Sequence, residues 1–352
     1  MRRTMNRTLI ALGAALAVAL PSARAAAVVL DETGSTLLYP LFQAWIGGYK
    51  SVAPDVGLTA AATGSGAGTD AAIKDAVRIG ASDAYLSDEV AAHNPQLLDI
   101  PLAISAQTIN YNLPGLAGAQ LKIDGPTLAA IYAGKVTAWD DPALAAMNPG
   151  VALPHQTIVP VRRADGSGDT FIFTQFLDFA AQSWENNPGF GTTIAWPAVA
   201  AEKAATGNEG VLQALAATPY SIGYVGVSYA DQIAKDKLGT AMVKNQAGKF
   251  LLPTADSIAA AAAKLDPRTP PYERISLIFA PGDDSYPLIN YEYAIVSKQQ
   301  PDAATAKALR AFLRWAISEN GGNNVEYLAR VNFIALPDFI RGLSQAQIDE
   351  IK

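Results

Sequence analysis

The chain contains no cysteine, so disulfides, thiolate zinc sites, iron-sulfur clusters and cysteine nucleophiles are excluded together. Histidine is nearly absent as well. His93 and His155 stand far apart, neither within a ligand pattern, and each reads as a surface or turn residue. No long basic run occurs, and 26 Lys and Arg against 32 Asp and Glu give a formal net charge of -6, which speaks against nucleic acid as a partner. Internal repeats and low-complexity segments are missing too. What is there is 352 residues, half of them hydrophobic, enough material for two packed lobes rather than one.

Arg2, Arg3 and Arg7 precede an apolar run from Leu9 to Leu20, followed by Pro21-Ser22 and the small-residue pattern Ala23-Arg24-Ala25. This is the layout of a cleaved secretory signal. As a membrane anchor the run is too short, 12 residues against the roughly 20 that span a bilayer. Cleavage after Ala25 removes four arginines and no acidic residue, leaving 22 basic against 32 acidic residues and a net charge of -10. The expected mature protein is exported, soluble and anionic. With no cysteine at the cleavage site to carry a lipid, the expected compartment is a periplasm.

Strands and helices alternate along the rest of the chain, which predicts α/β lobes. Val28 to Asp31 reads as a strand, and Leu37 to Tyr49, with Leu38, Phe42, Trp45 and Ile46 near helical spacing, as a helix with Pro40 in its first turn. Val56 to Ala62, the glycine loop Thr63 to Thr69 and a helix from Asp70 to Val77 repeat the pattern. Gly64, Gly66 and Gly68 resemble a dinucleotide loop, but the third glycine of that spacing falls at Thr69 and no P-loop lysine follows. Asp83 closes a short apolar strand, where open α/β sheets bind ligands, and Asp88 reads as a helix cap or turn residue. Ile104 to Asn112 reads as an extended connection, Ile222 to Gly226 and Tyr291 to Val296 as strands, and Ala255 to Leu265 and Ala303 to Glu319 as helices. Trp139, Trp184 and Trp196 are expected as core anchors.

The most informative stretch is Arg162-Arg163-Ala164-Asp165-Gly166-Ser167-Gly168-Asp169-Thr170, ahead of a segment in which Phe171, Phe173, Phe176, Leu177 and Ala180 recur at roughly helical spacing. It is built as a helix N-terminus that receives an anion. Glycines let backbone N–H groups face outward, the first turn leaves unpaired donors, and the macrodipole favours negative charge. A nearby arginine adds a planar fork of donors. The same residues also allow a plainer reading, in which Ser167 caps the helix, Asp169 complements its dipole and the arginines are solvated.

Thr33-Gly34-Ser35-Thr36, Thr63-Gly64-Ser65-Gly66-Ala67-Gly68, Gly80-Ala81-Ser82-Asp83-Ala84, Asn112-Leu113-Pro114-Gly115, Trp139-Asp140-Asp141 and Arg163-Ala164-Asp165-Gly166-Ser167-Gly168 occur in this order. In that order they resemble the PstS-type phosphate-binding proteins of bacterial phosphate ABC transporters, over essentially the whole mature chain. The resemblance implies a two-lobed periplasmic binding protein (type II-like), each lobe a mixed sheet flanked by helices and joined by extended hinge crossings. One lobe would combine residues 26–105 with 288–352, the other taking 106–287. It implies a monomer that captures inorganic phosphate without chemistry or cofactor and docks on a membrane permease.

Carried over by position, Ser35, Thr36 and Leu37 would offer hydroxyl and backbone donors, Ser65 the same from the glycine loop, and Ser167 and Gly168 from the opposite lobe. Arg163 would be the charged donor, held by Asp165, and Asp83 an acceptor. Two positions depart from some relatives: Leu37 replaces an aromatic, and Asp169 stands where a threonine occurs, so that it either caps the helix facing away or supplies a second acceptor. Other readings are a binder of sulfate or arsenate, and a secreted serine hydrolase or phosphatase using Ser167 or Ser65. Against the enzyme, Ser167 lacks the Gly-x-Ser-x-Gly elbow and neither histidine is placed as a base.

Overall fold

The computed structural model describes residues 28–185 and 187–352, so the secretory-signal segment lies outside the described residues. The chain begins with three strand-helix repeats: β1 (Val28–Gly34), α1 (Tyr39–Val52), β2 (Val56–Ala62), α2 (Ser65–Ile73), β3 (Ile79–Ser82) and α3 (Asp88–His93). The long strand β4 (Leu97–Asn112) follows. Then come β5 (Lys122–Ile123), α4 (Gly125–Tyr132), α5 (Pro142–Met147), β6 (Val159–Arg163), α6 (Gly168–Ala180), β7 (Lys203–Ala205), α7 (Gly207–Ala217) and β8 (Ser221–Gly226). After α8 (Ala230–Lys235), β9 (Gly239–Thr240), β10 (Met242–Lys244), β11 (Phe250–Leu251) and α9 (Ala255–Leu265), the chain returns through β12 (Ile289–Ser297) and ends in α10 (Ala303–Ala316), α11 (Val325–Leu328) and α12 (Asp338–Ile348).

The main sheet runs β2-β1-β3-β12-β4-β8-β6-β7, with β9 also on β4. Its architecture is a two-lobed mixed α/β fold, and β4 is where the two halves meet. Up to Ala106, β4 pairs antiparallel with β12; from Gln107 it pairs antiparallel with β8. Every residue of β4 from Leu97 to Tyr111 is buried, as expected of a strand covered on both faces. In the first half β1 is parallel to β2 and β3, and in the second β6 is parallel to β7 and β8. Within each half the parallel strands send their carboxyl ends to one edge, where open α/β sheets present their ligand crevice. Because β4 runs antiparallel to both β12 and β8, strands β6 and β7 run opposite to β1–β3, and since the halves occupy opposite ends of β4 the turns after β1, β2 and β3 face those after β6 and β7.

Apolar helix faces hold this frame. In α10, capped by the Asp302 carboxylate on the Thr305 N–H, Leu309, Phe312, Leu313 and Ala316 are buried. Phe312 meets Tyr49 at 5.1 Å and Trp45 at 6.1 Å between ring centres. Full burial of side chains this size stabilises by roughly 1.5–3 kcal/mol each. Trp139 and Trp184 are buried in the core, and the half-buried Trp196 stacks on Tyr224 with Arg162 over its other neighbourhood at 5.7 Å.

Several boundaries differ from the sequence expectation. Helix α2 starts at Ser65, not Asp70, and ends at Ile73. The turn is made by Gly64, at φ 94°; Gly66 faces Gly166, and Gly68 serves helix-strand packing, since a β-carbon there would lie 2.7 Å from Gly34 Cα and Thr33 O. The extended connection at Ile104 is the second half of a strand that begins at Leu97. Helix α1 runs two residues later at its start and three later at its end, and α10 stops at Ala316 rather than Glu319. The cap of α3 is Ser87, with Asp88 in the first turn. His93 and His155 are exposed, bonded to Glu89 O and Asp140.

Candidate functional site

Gly34 ends β1 at φ 144°, pressed so closely on Ala81 of β3 that no side chain fits. The chain then turns into α1 through Ser35, whose Oγ accepts from the N–H groups of Leu37 (3.1 Å) and Leu38 (2.9 Å) and donates to Asp83 Oδ1. Ser65, the first residue of α2, donates to Asp83 Oδ2 at 3.2 Å and accepts from the Asp83 N–H at 3.3 Å. Asp83 itself follows β3 and is only 1% exposed. Three separate strand ends thus build one buried carboxylate with two hydroxyl donors.

The facing wall comes from β6. Its last residue, Arg163, donates from Nε to Asp165 Oδ1 at 2.8 Å and from Nη2 to Oδ2 at 2.5 Å, the planar fork that guanidinium and carboxylate share. Nη1 donates to Asp169 Oδ2 at 2.6 Å. Ser167 is the cap of α6, accepting from the Thr170 N–H at 3.3 Å. Asp169 therefore does not cap the helix facing outward. It is fully buried and turns inward, where Asn208 Nδ2 donates to Oδ2 at 2.8 Å and Gln107 Nε2 to Oδ1 at 3.2 Å. The Leu37 N–H, expected as a free donor, is engaged by Ser35.

The two walls touch. The Gly66 N–H donates to Gly166 O at 3.0 Å, and Asn208 donates from Nδ2 (2.8 Å) and its backbone N–H (3.2 Å) to Thr36 Oγ1. Ser228 Oγ donates to Leu37 O at 2.8 Å and Tyr229 OH to Thr36 O at 2.9 Å. A β-carbon on Gly168 would overlap the Asp83 carboxylate and lie 2.6 Å from Ser65 Oγ. All ten residues singled out in the sequence, Ser35, Thr36, Leu37, Ser65, Asp83, Arg163, Asp165, Ser167, Gly168 and Asp169, lie along this one closed cleft.

Charge in the cleft is finely set. Burial raises the pKa of Asp83, against the hydrogen bonds it shares with Glu292, Ser35 and Ser65 and the field of Arg163. Burial, with the charge of Asp83, lifts Asp169 to about 6, although Arg163, Gln107 and Asn208 pull the other way. Burial opposes the charge on Arg163, yet Asp165 and Asp169 hold its pKa above the ordinary arginine value. A site with one fixed cation, several hydroxyl and amide donors and two inward carboxylates suits a guest that is both anionic and protonated. Neither Ser65 nor Ser167 is bonded to a histidine. Among the described residues no group of three or more His, Asp or Glu is placed to hold a metal.

Sequence reasoning missed Asn208, Gln107, Tyr224 and Glu292. Asn208 had a signal: Thr206-Gly207-Asn208, with Gly207 at φ 68°, is another small-residue helix start after a strand. Tyr224, whose OH accepts from the Arg163 N–H at 3.1 Å and bonds Thr170 Oγ1 at 2.8 Å, sits in a buried strand and carried none.

Comparison with known proteins shows the family and the fold. A family model described as a PBP superfamily domain matches residues 21–320. A phosphate-binding protein PstS of Methanocaldococcus jannaschii is 31% identical over 343 residues, covering 92% of this chain and 87% of that one. Another from Pasteurella multocida is 32% identical over 321 residues, covering 91% and 90%. A solved structure of a phosphate-binding protein from Stenotrophomonas maltophilia shares the fold, with a TM-score of 0.70 at 22% identity over 91% of this chain and 93% of that one. This chain belongs to the PBP superfamily and, within it, to the family of the PstS phosphate-binding proteins.

Proposed function

We propose that this protein captures inorganic phosphate in the cleft between its lobes and delivers it, as a monomer in the periplasm, to the membrane permease of an ABC importer. The observation that carries the reading is that Asp83, buried and bonded by Ser35 and Ser65, lies close enough to Arg163, buried on the facing wall, for the arginine's charge to act on its carboxylate. Near neutral pH phosphate keeps at least one proton and sulfate keeps none. A buried carboxylate accepts from a P–OH group but meets sulfate as an unpaired like charge. Leaving such a group unpaired costs on the order of 1–3 kcal/mol, more when it is charged.

In this reading Ser35, Thr36, Ser65, Ser167, the backbone of Gly168, and Arg163 bind the anion, with Asp165 fixing Arg163 and the Leu37 N–H donating to Ser35 rather than to the anion. Asp169 is the second acceptor, which allows the doubly protonated monoanion to be held as well. The change of β4 partner between Ala106 and Gln107 supports lobes of 26–105 with 288–352 and of 106–287. Closure about such crossings is the motion of binding proteins in general. No described helix is long and apolar enough to cross a membrane.

Calorimetric titration of ligand-stripped protein with phosphate, arsenate and sulfate at equal ionic strength tests this. Saturable binding of phosphate, shared by arsenate and refused to sulfate, is expected. A preference for sulfate, or turnover of a phosphate ester abolished by Ser167→Ala, overturns it.

A further inference from the structure

Behind Asp83 lies a second carboxyl group that the anion site does not touch. Glu292 is fully buried in β12. The antiparallel register that sets Tyr293 against Ser82 brings Glu292 opposite Asp83, and the two carboxyl groups are within hydrogen-bonding reach. Ser105 Oγ donates to Glu292 Oε1 at 2.5 Å, and no other protein donor reaches Oε2. Asn290, two residues earlier on the same strand, donates from Nδ2 to the Asp83 carbonyl. One strand therefore grips Asp83 twice.

Two adjacent carboxylates away from water cannot both stay ionised, so one proton is held between them. Its location follows from the donors. Asp83 receives two hydroxyl hydrogen bonds, from Ser35 and Ser65, and feels Arg163; Glu292 receives one, from Ser105. The proton belongs on Glu292, whose otherwise unpartnered oxygen then has an acceptor in Asp83. Burial first, and the Asp83 charge second, push Glu292 well above the usual carboxylate range. Besides Asp83, Asp169 at the start of α6 bears on Glu292. On the other elements packed against β12, Asp70 of α2 and Asp256 and Lys264 of α9 are exposed to solvent, and the buried Asp99 of β4 pairs with Ile295 and accepts from the Leu86 N–H. Arg163 acts on both Asp83 and Asp169.

We propose that Glu292 is a positioning residue for the anion site: as a neutral acid it donates a hydrogen bond to Asp83, fixing that side chain as an oriented, ionised acceptor for a protonated oxyanion. The proposal rests on the phosphate reading above. Were Glu292 to lose its proton to solvent as pH rises, two like charges would face each other behind the cleft and Asp83 would be driven from its place. That displacement removes the acceptor that separates phosphate from sulfate. Glu292 thus sets an alkaline limit to selective binding without contacting the ligand.

The test is calorimetric titration of the wild type, Glu292→Gln and Glu292→Ala with inorganic phosphate and with sulfate, from about pH 6 to about pH 10. Glutamine keeps a neutral donor, so Glu292→Gln is expected to bind phosphate within about threefold of the wild type at neutral pH and to keep its phosphate-over-sulfate ratio on the alkaline side, where that of the wild type falls. Glu292→Ala is expected to lose about tenfold or more in phosphate affinity, with a matching drop in preference over sulfate. Equal losses in both variants, an alkaline fall of the phosphate-over-sulfate ratio retained in Glu292→Gln, or a Glu292→Ala protein indistinguishable from the wild type would each overturn it. If circular dichroism shows Glu292→Ala unfolded, the pH profile of Glu292→Gln decides. Failure of the wild type itself to bind phosphate is seen first, and it removes both the phosphate reading and this one.

Discussion

The α-carbon of Gly168 faces the carboxylate of Asp83 across the cleft at a separation that admits hydrogen but not methyl. The two residues come from opposite walls, so the fit exists only when the walls meet. Gly168→Ala should therefore leave the fold intact and hinder closure. Phosphate affinity is expected to fall by about a hundredfold or more, as overpacking costs of a few kcal/mol imply. Calorimetry reads the affinity and a thermal melt the stability; an alanine variant that binds normally would show that the walls part without cost.

Asp83→Asn retains the shape of the side chain and converts one acceptor oxygen to a donor. Sulfate then gains a hydrogen bond where it met a charge. The phosphate-over-sulfate ratio should fall by roughly 5- to 150-fold, the range of 1–3 kcal/mol, chiefly through tighter sulfate binding. Competition titrations at one ionic strength measure it. A ratio unchanged by the substitution would remove Asp83 from the specificity argument.

Asp169 gives phosphate binding a pH profile. Its carboxyl, lifted to about 6 by burial and by Asp83, is ionised above that value and able to accept from a second P–OH. Affinity should peak between that value and neutrality, where the doubly protonated monoanion is still abundant. Below the peak Asp169 takes its own proton and affinity falls. Asp169→Asn should weaken binding on the acidic side of neutrality and move the optimum upward, and identical profiles for both proteins would exclude the second-acceptor role.

Three buried acids make stability itself depend on pH. Burial raises Glu32 and Glu273 to about 8 and Asp99 to about 7. The folded state holds protons that the unfolded chain releases above its ordinary carboxylate values. This stabilisation is complete below those values and is lost as pH climbs through the folded ones. Unfolding free energies from urea titrations should decline from about pH 5 toward about pH 8.5 by an amount on the order of a few kcal/mol. Glu32→Gln should flatten part of that slope. A stability that rises with pH over this range would contradict the buried, protonated state of these acids.

Much of this was legible in the sequence because the informative residues are local. Ser35, Ser65, Asp83 and Ser167 each sit in a short run of small residues after an apolar strand, and α9 spans Ala255–Leu265 as its alanine pattern predicts. The start of α2 was misjudged because glycine reads as loop, whereas here it lets a helix press on β1 and β3. Glu292 was illegible for another reason. Its meaning depends on strand register with Asp83, a pairing between distant parts of the chain that no local period encodes. Gln107 was hidden likewise inside a strand whose burial on both faces erases alternation.

Because β4 is stitched into both halves of the sheet, the hinge is no slack tether. In the opening proposed above, a paired ladder rather than a loop would have to twist. Neither half owns that strand outright, so cutting the chain there should yield two incomplete pieces rather than two independent domains, and denaturation should register as a single transition.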